Sequence, residues 1–200
     1  MKLPIVLSVA LGLAAGGAHA GIIDFEGVTP TDFGDPIDVG DFRFDFTASG
    51  WLIGDLDDGL TPGEVGNGTN VLYASGGSPV SVTMTRIDGG AFDVSALSAA
   101  ESTGGTADIL NVSGAFALGG SIMDDLAVTN AHQNFTLSGF VGLSSLTFST
   151  ATSGAFGEVG FELDNINTMA VTAPVPLPAG GMLLLTGLGA VALTRRKSKA

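Results

Sequence analysis

The sequence predicts an all-β protein, an antiparallel β-sandwich or jelly-roll ectodomain over residues 21–173, preceded by a signal peptide and followed by a single C-terminal transmembrane helix. Three observations lead there. Apolar and polar residues alternate with period two in the middle of the chain, as in Val80-Ser81-Val82-Thr83-Met84-Thr85. Short runs of this kind are separated by glycine-rich turn signals, and glycine makes up 31 of the 200 residues. No interior stretch repeats at the 3.6-residue period of an amphipathic helix.

Taken in order, residues 1–20 have the parts of a secretory signal peptide. Lys2 is the charged start, residues 5–15 are the apolar run, and Ala18-His19-Ala20 is a small-x-small site for signal peptidase. Cleavage there makes Gly21 the first residue of the mature chain and puts the ectodomain outside the cytoplasm. Candidate strands then fall at residues 22–25, 42–46, 51–53, 71–73, 80–85, 92–97, 109–116, 121–128, 135–137, 146–148 and 159–163. Between them stand Gly76-Gly77-Ser78-Pro79, Asp88-Gly89-Gly90, Thr103-Gly104-Gly105 and Gly119-Gly120, residues that admit the backbone angles of tight turns. Many short strands with turns of this kind build sandwiches. A domain of this size buries enough surface to stand without disulfides, and the chain has no cysteine.

Charge divides the chain in the same places. The formal net charge is −13, yet mean hydropathy is +0.45, so the acids and the apolar residues lie in different segments. Five of the seven basic residues, Lys2, Arg195, Arg196, Lys197 and Lys199, lie at the extreme ends. Residues 21–173 hold Arg43 and Arg86 against all twenty acids, a formal charge of −18. A field of that sign repels phosphate backbones and anionic headgroups and attracts divalent cations, which excludes nucleic acid as a partner.

At the C-terminal end, residues 179–194 carry no charge. As a helix they extend about 24 Å, a little short of a hydrocarbon core of roughly 30 Å. Arg195, Arg196 and Lys197 come immediately after, a stop-transfer cluster that orients the C-terminus to the cytoplasm. Before the span come Val175, Pro176, Leu177, Pro178 and Ala179, in which alternating prolines hold the backbone extended. Motif, short apolar helix and basic cluster in this order resemble the PEP-CTERM class of bacterial sorting signals, in its VPLPA variant. The resemblance implies an exosortase, a membrane-embedded processing enzyme of exopolysaccharide-producing Gram-negative bacteria, as partner. It also implies cleavage near the motif, with passage from the inner membrane to the cell surface or biofilm matrix. The pieces Ile23-Asp24-Phe25-Glu26-Gly27, Gly89-Gly90-Ala91-Phe92-Asp93-Val94, Phe135-Thr136-Leu137-Ser138-Gly139-Phe140 and Phe161-Glu162-Leu163-Asp164-Asn165-Ile166 are similar to ectodomains found before such tails, which resemble carbohydrate-binding jelly rolls in layout.

Candidate chemistry is sparse. Opening and closing strands of a jelly roll lie side by side, which would gather Asp24, Glu26 and Asp164 into an oxygen-rich calcium site; solvated carboxylates at strand ends are the competing reading. Asp55-Leu56-Asp57-Asp58-Gly59 with Glu64 is acidic, but its spacing departs from a calcium loop and reads better as a solvated one. Trp51 and Tyr73, the single tryptophan and tyrosine, are candidate sugar platforms, with strand packing as the alternative. No nucleophile elbow, zinc helix or phosphate loop occurs, and His132 lies in a polar turn, so no catalytic residue is expected. The expectation is a non-enzymatic surface or matrix protein, with an exopolysaccharide-binding module and a polysaccharide hydrolase as alternatives.

Overall fold

A computed structural model describes residues 20–28, 31–32, 36–47, 50–55, 67–75, 80–102, 108–150 and 160–170, and among them every regular element is a strand. Residues 1–19, the acidic loop at 56–66, the motif at 175–179, the apolar run and the basic cluster lie outside the described residues. Among the described residues no helix is long and apolar enough to cross a membrane.

The strands are β1 (Ala20–Ile23), β2 (Thr31–Asp32), β3 (Ile37–Val39), β4 (Phe42–Phe46), β5 (Gly50–Asp55), β6 (Asn70–Ser75), β7 (Ser81–Arg86), β8 (Phe92–Glu101), β9 (Asp108–Phe116), β10 (Ser121–Val128), β11 (Gln133–Thr136), β12 (Leu143–Thr150) and β13 (Gly160–Ala170). All their pairings are antiparallel. One branch runs β2-β5-β6-β13-β8-β11, with β1 continuing the β6 side of β13; the other runs β3-β4-β7-β12-β9-β10. They join through one pair, Leu143 opposite Phe92. The continuous sheet thus curls into two sandwich-like branches.

Period-two alternation puts one face of each strand inside. In β4, Phe42, Phe44 and Phe46 are buried while Arg43 and Asp45 are exposed. Ile53, Leu72, Leu97, Phe161 and Leu163 of the first branch join Phe44, Val82, Met84, Val112 and Phe148 of the second in one apolar cluster. Burying such a side chain contributes about 1.5–3 kcal/mol, which stabilises the fold without cysteines.

Eleven of the strands coincide with expected ones. β2 and β3 were not expected, because two or three residues are too short to display a period. The first expected strand stops early: Phe25 has φ +56°, and a hydrogen bond from Val28 N to Phe25 O closes a turn. Its ring remains buried against Phe44, with centroids 5.7 Å apart.

Registers also define one pole of the fold. Ala20 pairs with Met169, Ala170 with Phe92, Phe92 with Leu143, Leu143 with Phe116, and Phe42 with Arg86. The described fold therefore starts and finishes at this pole.

Candidate functional site

β13 organises the polar chemistry. Phe161 and Leu163 point into the core, so the pleat sends Glu162 and Asp164 to the outer face, where they are nevertheless 0 % and 1 % exposed. Across β8 the same face carries Ala100 opposite Glu162 and Ser98 opposite Asp164. His132 immediately precedes β11, whose Gln133 pairs with Ala99. Ala100 has no side chain beyond Cβ, leaving room for the imidazole to reach over β8. His132 Nε2 lies 3.0 Å from Glu162 Oε2, and His132 Nδ1 lies 3.1 Å from Ser98 Oγ. With Nε2–H donating to the carboxylate, Nδ1 of the neutral ring accepts the Ser98 hydroxyl proton. This order, hydroxyl to imidazole to carboxylate, is that of a nucleophile with its base and orienting acid. Ser98 is only 5 % exposed and sits mid-strand, and the bonds tie β8 and β13 to the turn before β11.

Asp164 anchors a second network. Its Oδ2 accepts from Asn67 Nδ2 at 2.8 Å, Asn165 Nδ2 at 2.7 Å and Thr69 Oγ1 at 3.3 Å, and its Oδ1 accepts from Asn165 N at 2.7 Å. Asn165 has φ +49°, and the β13 register shifts between Asp164 and Asn167. The carboxylate caps this bulge, at a residue type that tolerates the left-handed region. Burial pushes the Asp164 carboxyl above its ordinary value, opposed by the hydrogen bonds from Asn67, Asn165 and Thr69.

The residues expected to gather at the chain ends share this neighbourhood. Ile23 of β1 pairs with Ile166 of β13, Glu26 Oε1 accepts from Asn70 N at 2.8 Å, and Asp24 Oδ1 accepts from Glu26 N at 3.3 Å. Glu26 and Asp164 thus hold the two ends of segment 67–70. Among the described residues no three of His, Asp and Glu form a group able to hold a metal ion.

Tyr73 of β6 is half-buried and pairs with Glu162, on the outer face of the first branch. Trp51 of β5 pairs with Ala74, and its side chain lies outside the described residues. Tyr73 does not line the cleft that the fold opens beside β1. That cleft, of about 650 Å³, is bounded by Ala20–Val28 residues on one wall and Asp38–Phe42 on the other, with Arg86 and Thr168. Asp24 and Asp41 offer carboxylates there, while Ile22 and Val39 offer apolar surface. Arg86 is held by Asp88 through Nε–Oδ1 at 2.9 Å and Nη2–Oδ2 at 2.6 Å, and this bidentate hydrogen bonding keeps the Asp88 carboxyl well below its ordinary value. Sequence reading missed both the cleft and the His132 network. The one signal available was His132 itself, the sole histidine after Ala20.

No family model and no curated protein matches the chain. Among solved structures, a family 29 carbohydrate-binding module is similar over 76 % of this chain and 89 % of its own, at 9 % identity and a TM-score of 0.46. A family 61 module solved with β-1,4-galactotriose is similar over 65 % and 88 %, at 12 % identity and 0.43. The enzymatically active domain of bacteriophage CBA120 tailspike protein 4 is similar over 67 % of this chain and 20 % of its own, at 15 % identity and 0.38.

Proposed function

We propose that the chain is an exported, non-enzymatic protein of the cell surface or extracellular matrix, delivered and cleaved through its VPLPA tail by an exosortase. The observation that carries this reading is the position of the fold between the two address segments. β1 starts at Ala20 and β13 finishes at Ala170, side by side. Removing residues 1–20 takes one residue from β1, and cutting at 175–179 takes none from β13. Mass spectrometry of envelope and medium fractions tests it. The expected species starts at Gly21 and ends near residues 175–179; finding only full-length chain in the inner membrane would overturn the processing.

A second reading, binding of exopolysaccharide, is supported by the cleft beside β1. Carboxylates accept hydroxyl protons and aliphatic side chains pack against the C–H faces of a sugar, and Asp24, Asp41, Ile22 and Val39 combine these features. A glycan array read with Asp41→Ala, Trp51→Ala and Tyr73→Ala assigns the surface: loss with the first places the ligand in the cleft, loss with the others on the β5–β6 face. Absence of any glycan signal removes this reading, and turnover of a polysaccharide in the same panel would replace it with a hydrolase.

The reading includes a structural calcium at Asp24, Glu26 and Asp164, which form no metal-holding group as the side chains stand and would have to close on the ion; the shared attachment of Glu26 and Asp164 to segment 67–70 supports it. An ion that prefers the native state raises Tm. A rise on adding calcium that is lost in Glu26→Ala supports the site, and identical melting curves with calcium and with chelator eliminate it.

A further inference from the structure

We infer that, while the protein is anchored, the pole at which β13 hands over to the tail rests on the bilayer, with Leu118, Val141 and Ile87 as the residues that enter its surface. This rests on the reading of residues 179–194 as a membrane span. Single exposed apolar residues are ordinary, but their placement here is not. Of the seven large apolar residues exposed among the described ones, six stand at this pole or within two residues of it, and Ile109 does not. Leu118 is 102 % exposed in the β9–β10 turn, Val141 58 % before β12, and Ile87 51 % after β7, with Ile22, Met123 and Met169 on the adjoining strands.

The Leu118 and Val141 loops are bonded to each other, and Ile87 is bonded to the β3–β4 turn at the same pole. Ala117 N donates to Gly142 O at 2.9 Å, Gly142 N donates to Asp93 Oδ1 at 2.7 Å beside the start of β8, and Ile87 N donates to Asp41 O at 3.0 Å. The turn geometry does not require Leu118: Gly119 and Gly120, at φ +94° and +91°, supply the left-handed positions, and a polar residue would serve beside them.

Tether length names the occupant. Between Ala170 and the apolar run lie only residues 171–178, three of them proline. Such a segment spans roughly 25 Å as polyproline II and at most about 29 Å fully extended. Part of that length lies within the headgroup layer, because the apolar run is shorter than the hydrocarbon core. The pole that emits the tail is therefore the surface held closest to the lipid.

Charge selects the lipid. Asp41 is exposed, Asp88 is neutralised by Arg86, and Asp93 is half-buried under Gly142, so the pole offers no cationic attraction to phosphate. The contact is apolar, suited to a zwitterionic surface and weakened by anionic lipid.

The test uses the full-length chain in phosphatidylcholine vesicles with brominated acyl chains. With no native cysteine, Leu118→Cys, Val141→Cys and, toward the opposite pole, Ile109→Cys each carry one environment-sensitive fluorophore. The expected result is a blue shift at 118 and 141 with bromine quenching several-fold greater than at 109, reduced when anionic lipid is added. Labels at 118 and 141 that behave like the label at 109, in a chain that floats with the vesicles, overturn the inference and leave the anchor intact. A chain that does not float overturns the anchor reading and this inference with it. A blue shift without bromine quenching, growing with protein concentration, assigns the pole to a second copy and overturns the lipid contact.

Discussion

β13 and β10 each carry two carboxylates, Glu162 and Asp164 on the first and Asp124 and Asp125 on the second, in settings that differ in pairing, burial and partners. β13 has β8 on one edge and β6 and β1 on the other, and both of its acids are buried. Among the described residues β10 pairs only with β9, and both of its acids are exposed. On β13 the acids accept from the His132 ring, Asn67, Thr69 and Asn165, linking segments distant in sequence. On β10 the bonds are local: Asp125 accepts from Asn111 across the hairpin, and Asp124 accepts from the neighbouring Asp125 N. A formal charge of −18 therefore mixes two materials: buried carboxylates act as hydrogen-bond hubs, and exposed ones keep a sheet edge solvated.

The sharpest way to break this comparison is to remove one acid from each strand. Glu162→Ala deletes the acceptor of a buried imidazole, which leaves a donor unpaired at a cost of about 1–3 kcal/mol, and the emptied site, 0 % exposed, adds a cavity term. Asp124→Ala removes an exposed acid, with an expected change within about 0.5 kcal/mol. Urea unfolding of the two variants checks both values, and equal midpoints would refute the distinction.

Asp164→Asn has the next largest expected effect, about 1–3 kcal/mol, because an amide keeps one acceptor where four hydrogen bonds arrive and turns its NH₂ toward other donors. It also carries a pH signature. Burial raises the folded-state value of Asp164, so between the ordinary carboxylate value and the raised one the folded chain holds a proton that the unfolded chain has lost. The share of this group in stability falls as pH rises through that window and is level on either side. Melting wild type and variant across mildly acidic pH should show the slope in wild type and its loss in Asp164→Asn. Parallel profiles would show that burial of Asp164 carries no titration penalty.

How much of this was legible in sequence depends on which interactions are periodic. β4 alternates at every residue, and β7 and β12 do so over residues 81–85 and 146–150, so these strands were readable within a few positions. The pairing of β1 with β13 followed from general sandwich layout and brought Glu26 to the segment that Asp164 holds. The His132 network was invisible, because it depends on a register that lays Ala100 between residues 132 and 162 and opens space for a ring. Burial of Glu162 and Asp164 was hidden for a related reason: alternation assigns them to the outer face but does not say that the outer face is covered. The turn at Phe25 could not be read either, since an aromatic residue at positive φ contradicts local preference and is held by packing on Phe44.

The smallest expected effect on stability concerns the edge itself. β10 is eight residues long, and its outer backbone edge has no strand partner among the described residues. An edge of that length is a template for pairing with another chain, and charged side chains are one of the ways proteins block it. Replacing Asp124 and Asp125 together by threonine removes both charges and adds two β-branched residues that favour strands. The monomer's unfolding midpoint should move by no more than about 0.5 kcal/mol in free energy, since both sites are exposed. Sedimentation should instead show concentration-dependent association beyond wild type, reversed when Asp124→Lys is combined with Asp125→Thr. If the double threonine variant sediments as wild type does, the acids of β10 are solvating groups without a guarding role, and the contrast with β13 reduces to burial alone.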